Sequence, residues 1–405
     1  MRNSDADLPP ALRALRPVED RSRHFDHASR LREPVSVDGW SPLWTGLARM
    51  GGLLPPAGIE NPNPRPLPRG GRDAPWSGRS DGGSLGEIGE RGIAGGPRFD
   101  APVAPGGYAW WYIDAISEDG SCGLTIIAFI GSVFSPYYVS AGKQHPENHV
   151  ALNVALYGRR KSRWTMTERS QQALRRDPQT LAIGPSNMHW DGTMLSLQIE
   201  EAGAVFGQKV RGQVRLHPQA LVNRSFALDP AGRHRWQPIA TRAHIEVDMP
   251  SPGLSWRGDA YIDSNFGDEP MESRFADWQW SRAHLFNKAA GGETAVFYEG
   301  RRHDGSDFAL SLLFDQHGQP HEMEAPPKAR LRPTNWLMPR HTRSDFGEGA
   351  RILKTWEDTP FYSRSALATR IHGQHAIGVH ESLSLNRFRS KPMQWMLPYR
   401  MPRQE

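Results

Sequence analysis

The chain has 405 residues, a formal net charge of +5 at pH 7 and a pI near 9.4, so it is long enough for one large domain or two ordinary ones. Acidic residues are interspersed among the arginines, which indicates a solvated mixed-charge surface and argues against nucleic-acid binding; a weaker alternative is attraction to an anionic membrane surface. Cys122 is the single cysteine, which excludes a disulfide framework and a cysteine-ligated metal and fits a reducing compartment.

The first 97 residues differ in composition from the rest of the chain. Of these, 28 are proline or glycine, and the segment has neither a sustained helical or strand period nor the apolar core of a signal peptide. We therefore expect residues 1–97 to form a disordered extension. The glycines at 83, 86, 89 and 92 follow no strand and have the wrong spacing for a phosphate-binding loop.

An uncharged window runs from Ser121 to Gly142 and exceeds the ~18 residues of a membrane-spanning helix. Its Ser-Pro and Tyr-Tyr pairs, internal glycines and β-branched residues favour a buried strand followed by an aromatic loop over a spanning helix. The loop FSPYY (134–138) is a candidate edge for peripheral membrane contact.

From Phe99 onward, short segments of alternating polarity recur, each bounded by Gly, Pro, Asp or Asn. This period-2 pattern with regular turn signals predicts an all-β antiparallel sandwich or barrel. The segment RSQQALRRDP (169–178) is the best helical candidate. The predicted strands are YAWWYIDAIS, HVALNVALYG, RWTMTER, LSLQIEE, GQVRLHP, AHIEVDM, WQWSRAHLF, TAVFYEG, FALSLLFD, ARILKTWED, SALATRIHG and IGVHESLSL.

Two consecutive β domains suit the length, and we expect them over residues 98–248 and 249–390, with a tail over 391–405. The string Tyr-Ile-Asp occurs at 112–114 and again at 261–263. The match is either chance or a mark of equivalent strands in two similar domains.

Two pairs of chemically capable residues stand at i and i+2 and would each share one face of a strand: Tyr261 with Asp263, and His234 with Trp236. A carboxylic acid gives a proton, an indole face stabilises a cation, and a histidine accepts a proton near neutral pH. The alternative is that the aromatic residues are core packing and that the aspartate caps a turn.

Other candidate sites are weaker. His145 and His149 have an H-x3-H spacing but no evident third ligand, so we predict no metal site. No G-x-S-x-G elbow occurs, and Cys122 lies in an apolar run without the electropositive setting of a nucleophile.

Several long, aromatic-rich strings of this chain resemble the carotenoid 1,2-hydratase family, also called hydroxyneurosporene synthases. The resemblance runs in order from about Gly96 to about Ser384, leaves the first 95 residues outside, and departs at Ala260, where the family has glycine. The strings are GGYAWWYIDAISEDGSCGLTIIAFIGSVFSPYY, HVALNVALYG, RWTMTER, GPSNMHWDG, GRHRWQPIA and AYIDSNFGDEPMESRFADWQWSRA.

The resemblance implies a hydro-lyase of phototrophic bacteria with two lipocalin-like β domains and no cofactor. It implies addition of water across the terminal C1=C2 double bond of acyclic carotenoids such as neurosporene and lycopene, giving a tertiary 1-hydroxy carotenoid. The family's functional residues fall on His234, Trp236, Tyr261 and Asp263.

These residues suggest a mechanism in which protonated Asp263, hydrogen-bonded by Tyr261, gives a proton to C2. The π face of Trp236 would stabilise the cation at C1, and His234 would position the attacking water and accept its proton. Half-protonation of Asp263 at neutral pH requires its pKa to rise by about 3 units, roughly 4 kcal/mol, which burial can supply. We therefore expect Asp263 at the closed end of an apolar channel.

The implied partners are an acyclic carotenoid and water, with peripheral contact at the cytoplasmic side of the inner or photosynthetic membrane. The main alternative is a non-catalytic lipocalin-like carrier of a carotenoid or lipid. A second is a glycan-binding β-sandwich, which would use exposed aromatic residues such as Trp278 and Trp280.

Overall fold

The structure is a computed structural model that describes residues 96–158, 162–204, 207–285, 292–347 and 349–404. The predicted disordered extension lies outside the described residues except for its last two positions. The predicted all-β class with two consecutive antiparallel sheets is confirmed.

The first sheet contains 13 strands among the described residues. They are β1 Tyr108–Ser117, β2 Gly123–Ile130, β3 Val150–Tyr157, β4 Arg163–Arg169, β5 Leu174–Arg176, β6 Thr180–Ile183, β7 Ser186–Trp190, β8 Leu195–Ala202, β9 Lys209–Pro218, β10 Phe226–Ala227, β11 His234–Ser251, β12 Leu254–Gly267 and β22 Arg403–Gln404. Strand β1 lies near the middle and pairs with β2 on one side and β12 on the other.

The second sheet contains seven strands in the described part of the chain, and a separate hairpin lies beside it. The sheet consists of β13 Phe275–Leu285, β14 Glu293–Arg302, β15 Asp307–Phe314, β16 Pro320–Glu322, β19 Arg351–Asp358, β20 Tyr362–Ile371 and β21 Gln374–Ser384. The hairpin consists of β17 Lys328–Leu331 and β18 Arg340–Arg343.

Strand β1 is buried on both faces, and its alternation separates two cores. Trp111 and Ile113 belong to a mainly aliphatic core formed by strands of the first sheet. Trp110 and Tyr112 point to the opposite face, where an aromatic core joins the two sheets. The Trp110 ring, for example, lies 6.4 Å from the ring of Trp278 on β13. The functional candidates lie in this aromatic layer.

Helical structure is sparse. The α-helices are α1 Pro136–Ser140, α2 Met271–Arg274, α3 Leu385–Phe388 and α4 Lys391–Met396, and short 3₁₀ turns cover Pro146–Asn148, Gln171–Ala173, Asp345–Gly347 and Leu397–Tyr399. Across the described ranges, no helix has the length and apolar character to cross a membrane.

Two local expectations have clear outcomes. The uncharged window at 121–142 forms the predicted buried strand, β2, as its β-branched residues indicate. The predicted aromatic loop is wrong over Pro136–Ser140, which forms the short helix α1 because the Ser135 side chain caps it and Pro136 begins it. The helix predicted over 169–178 is wrong: one 3₁₀ turn and strand β5 occupy it, because Leu174–Arg176 pairs with β6. Tertiary pairing overrides the weak local helical pattern.

The two sheets divide between Gly267 and Phe275, whereas the expected boundary at 248/249 falls inside strand β11. Both strands of the long β11–β12 hairpin belong to the first sheet. The expected tail contributes helix α4 and strand β22, which pairs in parallel with β4. The division of the chain into domains stays a prediction.

Candidate active site

The two Tyr-Ile-Asp strings lie side by side in one sheet, on strands β1 and β12. Ile113 is opposite Ile262, so that Tyr112 is opposite Asp263 and Asp114 is opposite Tyr261. All four polar side chains therefore lie on the aromatic face, related by a local two-fold axis through the isoleucine pair. The strings are neighbours in the first sheet, which does not fit the hypothesis that they mark equivalent strands of two domains.

Asp263 is held by two hydrogen bonds that converge on one of its oxygens. Trp236 Nε1 donates to Oδ2 at 2.7 Å, and the Tyr261 hydroxyl donates to the same atom at 2.9 Å. Oδ1 is buried and has no hydrogen-bond partner within the described part of the chain. The neutral carboxyl group therefore carries its proton on Oδ1, since Oδ2 is occupied as an acceptor.

Burial raises the pKa of Asp263 to about 8, although the hydrogen bonds from Trp236 and Tyr261 act in the opposite direction. The residue is only 4% exposed. Burial also raises the pKa of Tyr261 well above its usual range, so its hydroxyl remains a donor. At neutral pH the site thus contains a protonated carboxylic acid in apolar surroundings.

Asp114, the equivalent of Asp263 on β1, has a different electrostatic setting. It accepts from the Tyr112 hydroxyl at 3.0 Å, as Asp263 does from Tyr261. However, Asp114 also forms a buried ion pair with Arg282 on β13, whose Nε lies 2.9 Å from Oδ1. Among the described residues, no cation contacts Asp263. The same Tyr-Ile-Asp motif therefore places one aspartate, Asp114, in an ion pair and leaves the other, Asp263, without a cationic partner.

Asp263 lines a small cavity between the two sheets, walled mainly by aromatic rings. The lining residues are Trp110, Tyr112, Asp263, Asn265, Trp278, Trp280, Tyr298 and Glu381. A larger apolar cavity, with about 810 Å³ of atom-free space including solvent at its mouth, shares four of these residues: Trp110, Tyr112, Trp278 and Glu381. The two cavities are thus adjacent, and Asp263 lines only the small one. The position of Asp263 at the closed end of an apolar channel stays a prediction.

The wall of the larger cavity comes from both sheets and from the C-terminal segment. Its side chains include Ile127, Phe129, Phe134, Trp164, Met166, Phe361, Leu383, Leu397 and Met401. Its polar members are concentrated around Arg364, which pairs with Glu357 and Glu381. An apolar lining of this kind suits one end of a long apolar molecule.

Trp236 acts on Asp263 through its N–H, not through its ring face. The indole is fully buried, and its ring packs against those of Phe226, Tyr298 and Phe314 at 5.4, 5.8 and 6.4 Å. It is absent from the lining of both cavities. The structure gives Trp236 a hydrogen bond to the acid, and the expectation that its π face meets the cation stays a prediction.

His234 does not contact the acid. It is opposite Gly267, four residues beyond Asp263 on β12, or about 13 Å along the strand. Its Nδ1 lies 2.9 Å from the Tyr108 hydroxyl and its Nε2 lies 3.1 Å from Glu269 Oε1. Burial lowers the pKa of His234, opposed by the Glu269 hydrogen bond. The structure therefore separates His234 from the group formed by Trp236, Tyr261 and Asp263.

Sequence reasoning missed the residues that complete the cavity. Trp110 and Tyr112 carried a usable signal, since they alternate along β1 with residues of the aliphatic core. Glu381 and Arg364 carried none, because both lie more than 100 residues from Asp263 in the chain. Sheet packing brings Glu381 to the cavity of Asp263, and Arg364 is its neighbour on β20.

Burial argues against the glycan-binding alternative. Trp278 and Trp280 are buried, at 6% and 4% exposure, so they offer no exposed glycan-binding surface. His149 pairs with Glu168 in the protein interior. No cluster of three or more potential metal ligands occurs over the ranges that the structure describes.

Comparison with known proteins gives consistent matches. The family model "Carotenoid hydratase CrtC" matches residues 126–405. The chain is 46% identical over 407 residues to an acyclic carotenoid 1,2-hydratase of Thiocapsa roseopersicina, covering 100% of this chain and 99% of that protein. It is 44% identical over 408 residues to the protein of that name from Rubrivivax gelatinosus, covering 100% of both chains. A putative AttH protein of Nitrosomonas europaea matches in structure with a TM-score of 0.47 and 15% identity, over 69% of this chain and 92% of that chain.

The extent of these alignments decides whether the N-terminal region has a counterpart in the relatives. The Thiocapsa and Rubrivivax alignments cover 100% of this chain, including the first 95 residues, so the expectation that this region lies outside the resemblance is wrong for these relatives. An acyclic carotenoid 1,2-hydratase of Cereibacter sphaeroides is 42% identical over 69% of this chain and 98% of its own length.

Proposed function

The chain belongs to the carotenoid hydratase family, and on this premise we propose that it adds water across the terminal C1=C2 double bond of acyclic carotenoids such as neurosporene and lycopene. The observation that carries this proposal is the buried carboxyl group of Asp263, which keeps its proton at neutral pH at the end of an aromatic cavity. An isolated alkene is not activated by conjugation, so a strong local acid is the group that its hydration needs.

The first chemical step is protonation of C2 by Asp263 Oδ1. Trp236 and Tyr261 are positioning residues in this scheme, since both donate to Oδ2 and thereby orient Oδ1. Both hydrogen bonds strengthen as the carboxylate forms, because hydrogen bonds to a charged acceptor are about twice as strong as neutral ones. The proposed mechanism uses no cofactor.

The cation that forms at C1 is tertiary and lies among aromatic rings. Trp110, Trp278, Trp280 and Tyr298 line the cavity that contains Asp263 and offer π faces or edges to its occupant. A cation over an indole face gains about 2 kcal/mol or more when desolvated. The same rings keep bulk water away from the cation.

Incubation with lycopene in ¹⁸O-water tests this function against a carrier role. The enzyme should yield a 1-hydroxy carotenoid containing one ¹⁸O atom, detected by mass spectrometry, and Asp263→Asn should yield background levels. A wild-type protein that shifts the absorption spectrum of lycopene without forming hydroxylated product would be a carrier, and the proposal would be wrong.

The protein is placed, in this proposal, at the cytoplasmic face of the inner or photosynthetic membrane, where its substrate dissolves. Support comes from exposed aromatic residues in the C-terminal segment that also lines the larger cavity: Trp395 is 86% exposed and Tyr399 is 71% exposed. They flank Leu397, which lines the larger cavity. Aromatic side chains with one polar end suit the bilayer interface.

Neighbouring groups extend this surface. Leu337 is 72% exposed, and its carbonyl accepts from Arg387 in helix α3 at 3.2 Å, which places it near the C-terminal helices. Arg389 and Lys391 add positive charge that anionic lipids attract. The FSPYY segment, by contrast, contributes Phe134 to the wall of the larger cavity and buries Tyr138, so this proposal places the docking surface on the C-terminal segment instead.

Vesicle co-sedimentation tests the docking surface. The double variant Trp395→Ser/Tyr399→Ser should bind anionic vesicles less than wild type while hydrating detergent-dispersed lycopene at the wild-type rate. Phe346→Ser is the matched control, because Phe346 is an equally exposed aromatic residue, at 81%, far from the cavity. It lies against Arg370, at one end of β20, whereas the cavity-lining Tyr362 is at the other end of that strand. Equal vesicle binding by the double variant and wild type would contradict the assignment.

A further inference from the structure

Glu381 lies on the cavity wall that faces the acid. It belongs to β21 in the second sheet, opposite Trp280 on β13 and Arg364 on β20. It lines both the small cavity that contains Asp263 and the larger apolar cavity. A second carboxyl group is therefore present where a substrate held between the two cavities would contact it.

Arg364 holds Glu381 in place and retains a free donor. Arg364 Nε donates to Glu381 Oε1 at 2.8 Å, and Nη1 donates to Glu357 Oε1 at 2.9 Å. The guanidinium group is 1% exposed, and its Nη2 has no hydrogen-bond partner within the described ranges. A buried donor without a protein partner is usually satisfied by water.

Glu381 links two polar groups that line neighbouring cavities: Asp263 lines the small cavity, Arg364 lines the larger one, and Glu381 lines both. The acid comes from the first sheet, and the ion pair comes from the second. A substrate that extends through both cavities would thus meet the proton donor in the small cavity and the charged, water-binding pair where the two cavities adjoin.

We propose that Arg364 and Glu381 bind the water molecule that attacks C1, and that Glu381 is the catalytic base that accepts its proton. This inference rests on the proposed hydratase function and assigns its second half-reaction. It replaces His234 in that role, since His234 pairs with Glu269 and Tyr108 away from the acid.

A base separate from Asp263 has a chemical purpose. Once Asp263 has given up its proton it is itself a base beside C2, and removal of a C2 proton would return the alkene. Water held ready on the opposite wall competes with that return by trapping the cation.

The proposed steps balance. The π electrons of C1=C2 form a bond to the Asp263 proton at C2 and leave a cation at C1. The oxygen of water forms a bond to C1, and one O–H proton passes to Glu381. That proton then returns from Glu381 to Asp263 through the cavity, so the net reaction is alkene plus water giving a tertiary alcohol.

Deuterium exchange in D₂O separates the two half-reactions. Glu381→Gln should still form the cation, lose a proton from it and release lycopene that contains deuterium, detected by mass spectrometry. Hydration should fall by about 100-fold, the size expected for loss of a general base. Glu381→Asp, which restores a carboxylate, should recover part of the hydration.

The controls keep the outcomes distinct. Asp263→Asn should lose both exchange and hydration. Glu299→Gln removes a buried carboxylate that pairs with Arg343 outside both cavities, so it should keep the wild-type ratio of exchange to hydration. If Glu381→Gln hydrates lycopene at the wild-type rate, or loses exchange together with hydration, the assignment of Glu381 is wrong. If the wild-type protein neither hydrates nor exchanges, the proposed function itself fails.

Discussion

Replacing the buried acid should abolish hydration and at the same time change how stability depends on pH. In the native state Asp263 has a pKa of about 8, raised by burial, whereas an aspartate in an unfolded chain has a pKa near 3.9. Between these values the native state keeps a proton that the unfolded chain has lost. Unfolding then releases that proton, so this residue lowers the free energy of unfolding as pH rises from about 4 to about 8.

The magnitude follows from the pKa difference. Each pH unit within this window lowers the free energy of unfolding by about 1.4 kcal/mol. At pH 7, Asp263 therefore lowers the free energy of unfolding by about 4 kcal/mol. Asparagine does not titrate, so it adds no such pH dependence to the free energy of unfolding. Its side-chain carbonyl can accept from Trp236 and Tyr261 as Oδ2 does. Its amide group would replace Oδ1 without a partner, which costs about 1–3 kcal/mol. Asp263→Asn should therefore be about 1–3 kcal/mol more stable than wild type at pH 7.

Urea unfolding of both proteins from pH 5 to pH 9 measures this directly. The free energy of unfolding of Asp263→Asn, minus that of wild type, should increase by about 4 kcal/mol between pH 5 and pH 8 and then level off. A difference that stays constant across that range would mean that Asp263 titrates alike in both states. The buried neutral acid, and the proton donor built on it, would then be wrong.

Three further outcomes are expected. For wild type, kcat/KM should fall as pH rises through about 8, because Asp263 then loses the proton that it must give; a rate that keeps rising to pH 10 would contradict this. Trp236→Phe removes the N–H donor to Oδ2 while keeping an aromatic ring, so the pKa of Asp263 should rise and the fall in kcat/KM should move to higher pH. Trp236→Leu, measured in the same pH profile, should move the fall equally if the N–H is the cause. Arg282→Met should lower the free energy of unfolding by about 3–5 kcal/mol, because it leaves Asp114 as an unpaired buried charge, and the double variant with Asp114→Asn should recover most of that loss.

The sequence alone predicted the β elements because strand alternation is a local property. The segments YAWWYIDAIS and RWTMTER coincide with β1 and β4 residue for residue. Local alternation also placed Tyr261 beside Asp263 and put His234 and Trp236 on one face of a strand. It could not predict strand β5, whose pairing partner overrides a short helical pattern.

Tertiary structure decided which aspartate is the acid and what surrounds it. Asp114 and Asp263 have the same local motif, and they differ because Arg282, 168 residues from Asp114 in the chain, pairs with one and not the other. Pairing of β11 with β12 brings the Trp236 N–H to the carboxyl group, and packing of the second sheet on the first brings Glu381 to the cavity of Asp263. Burial, ion pairing and pKa depend on contacts between sheets, and no periodicity within one strand encodes those contacts.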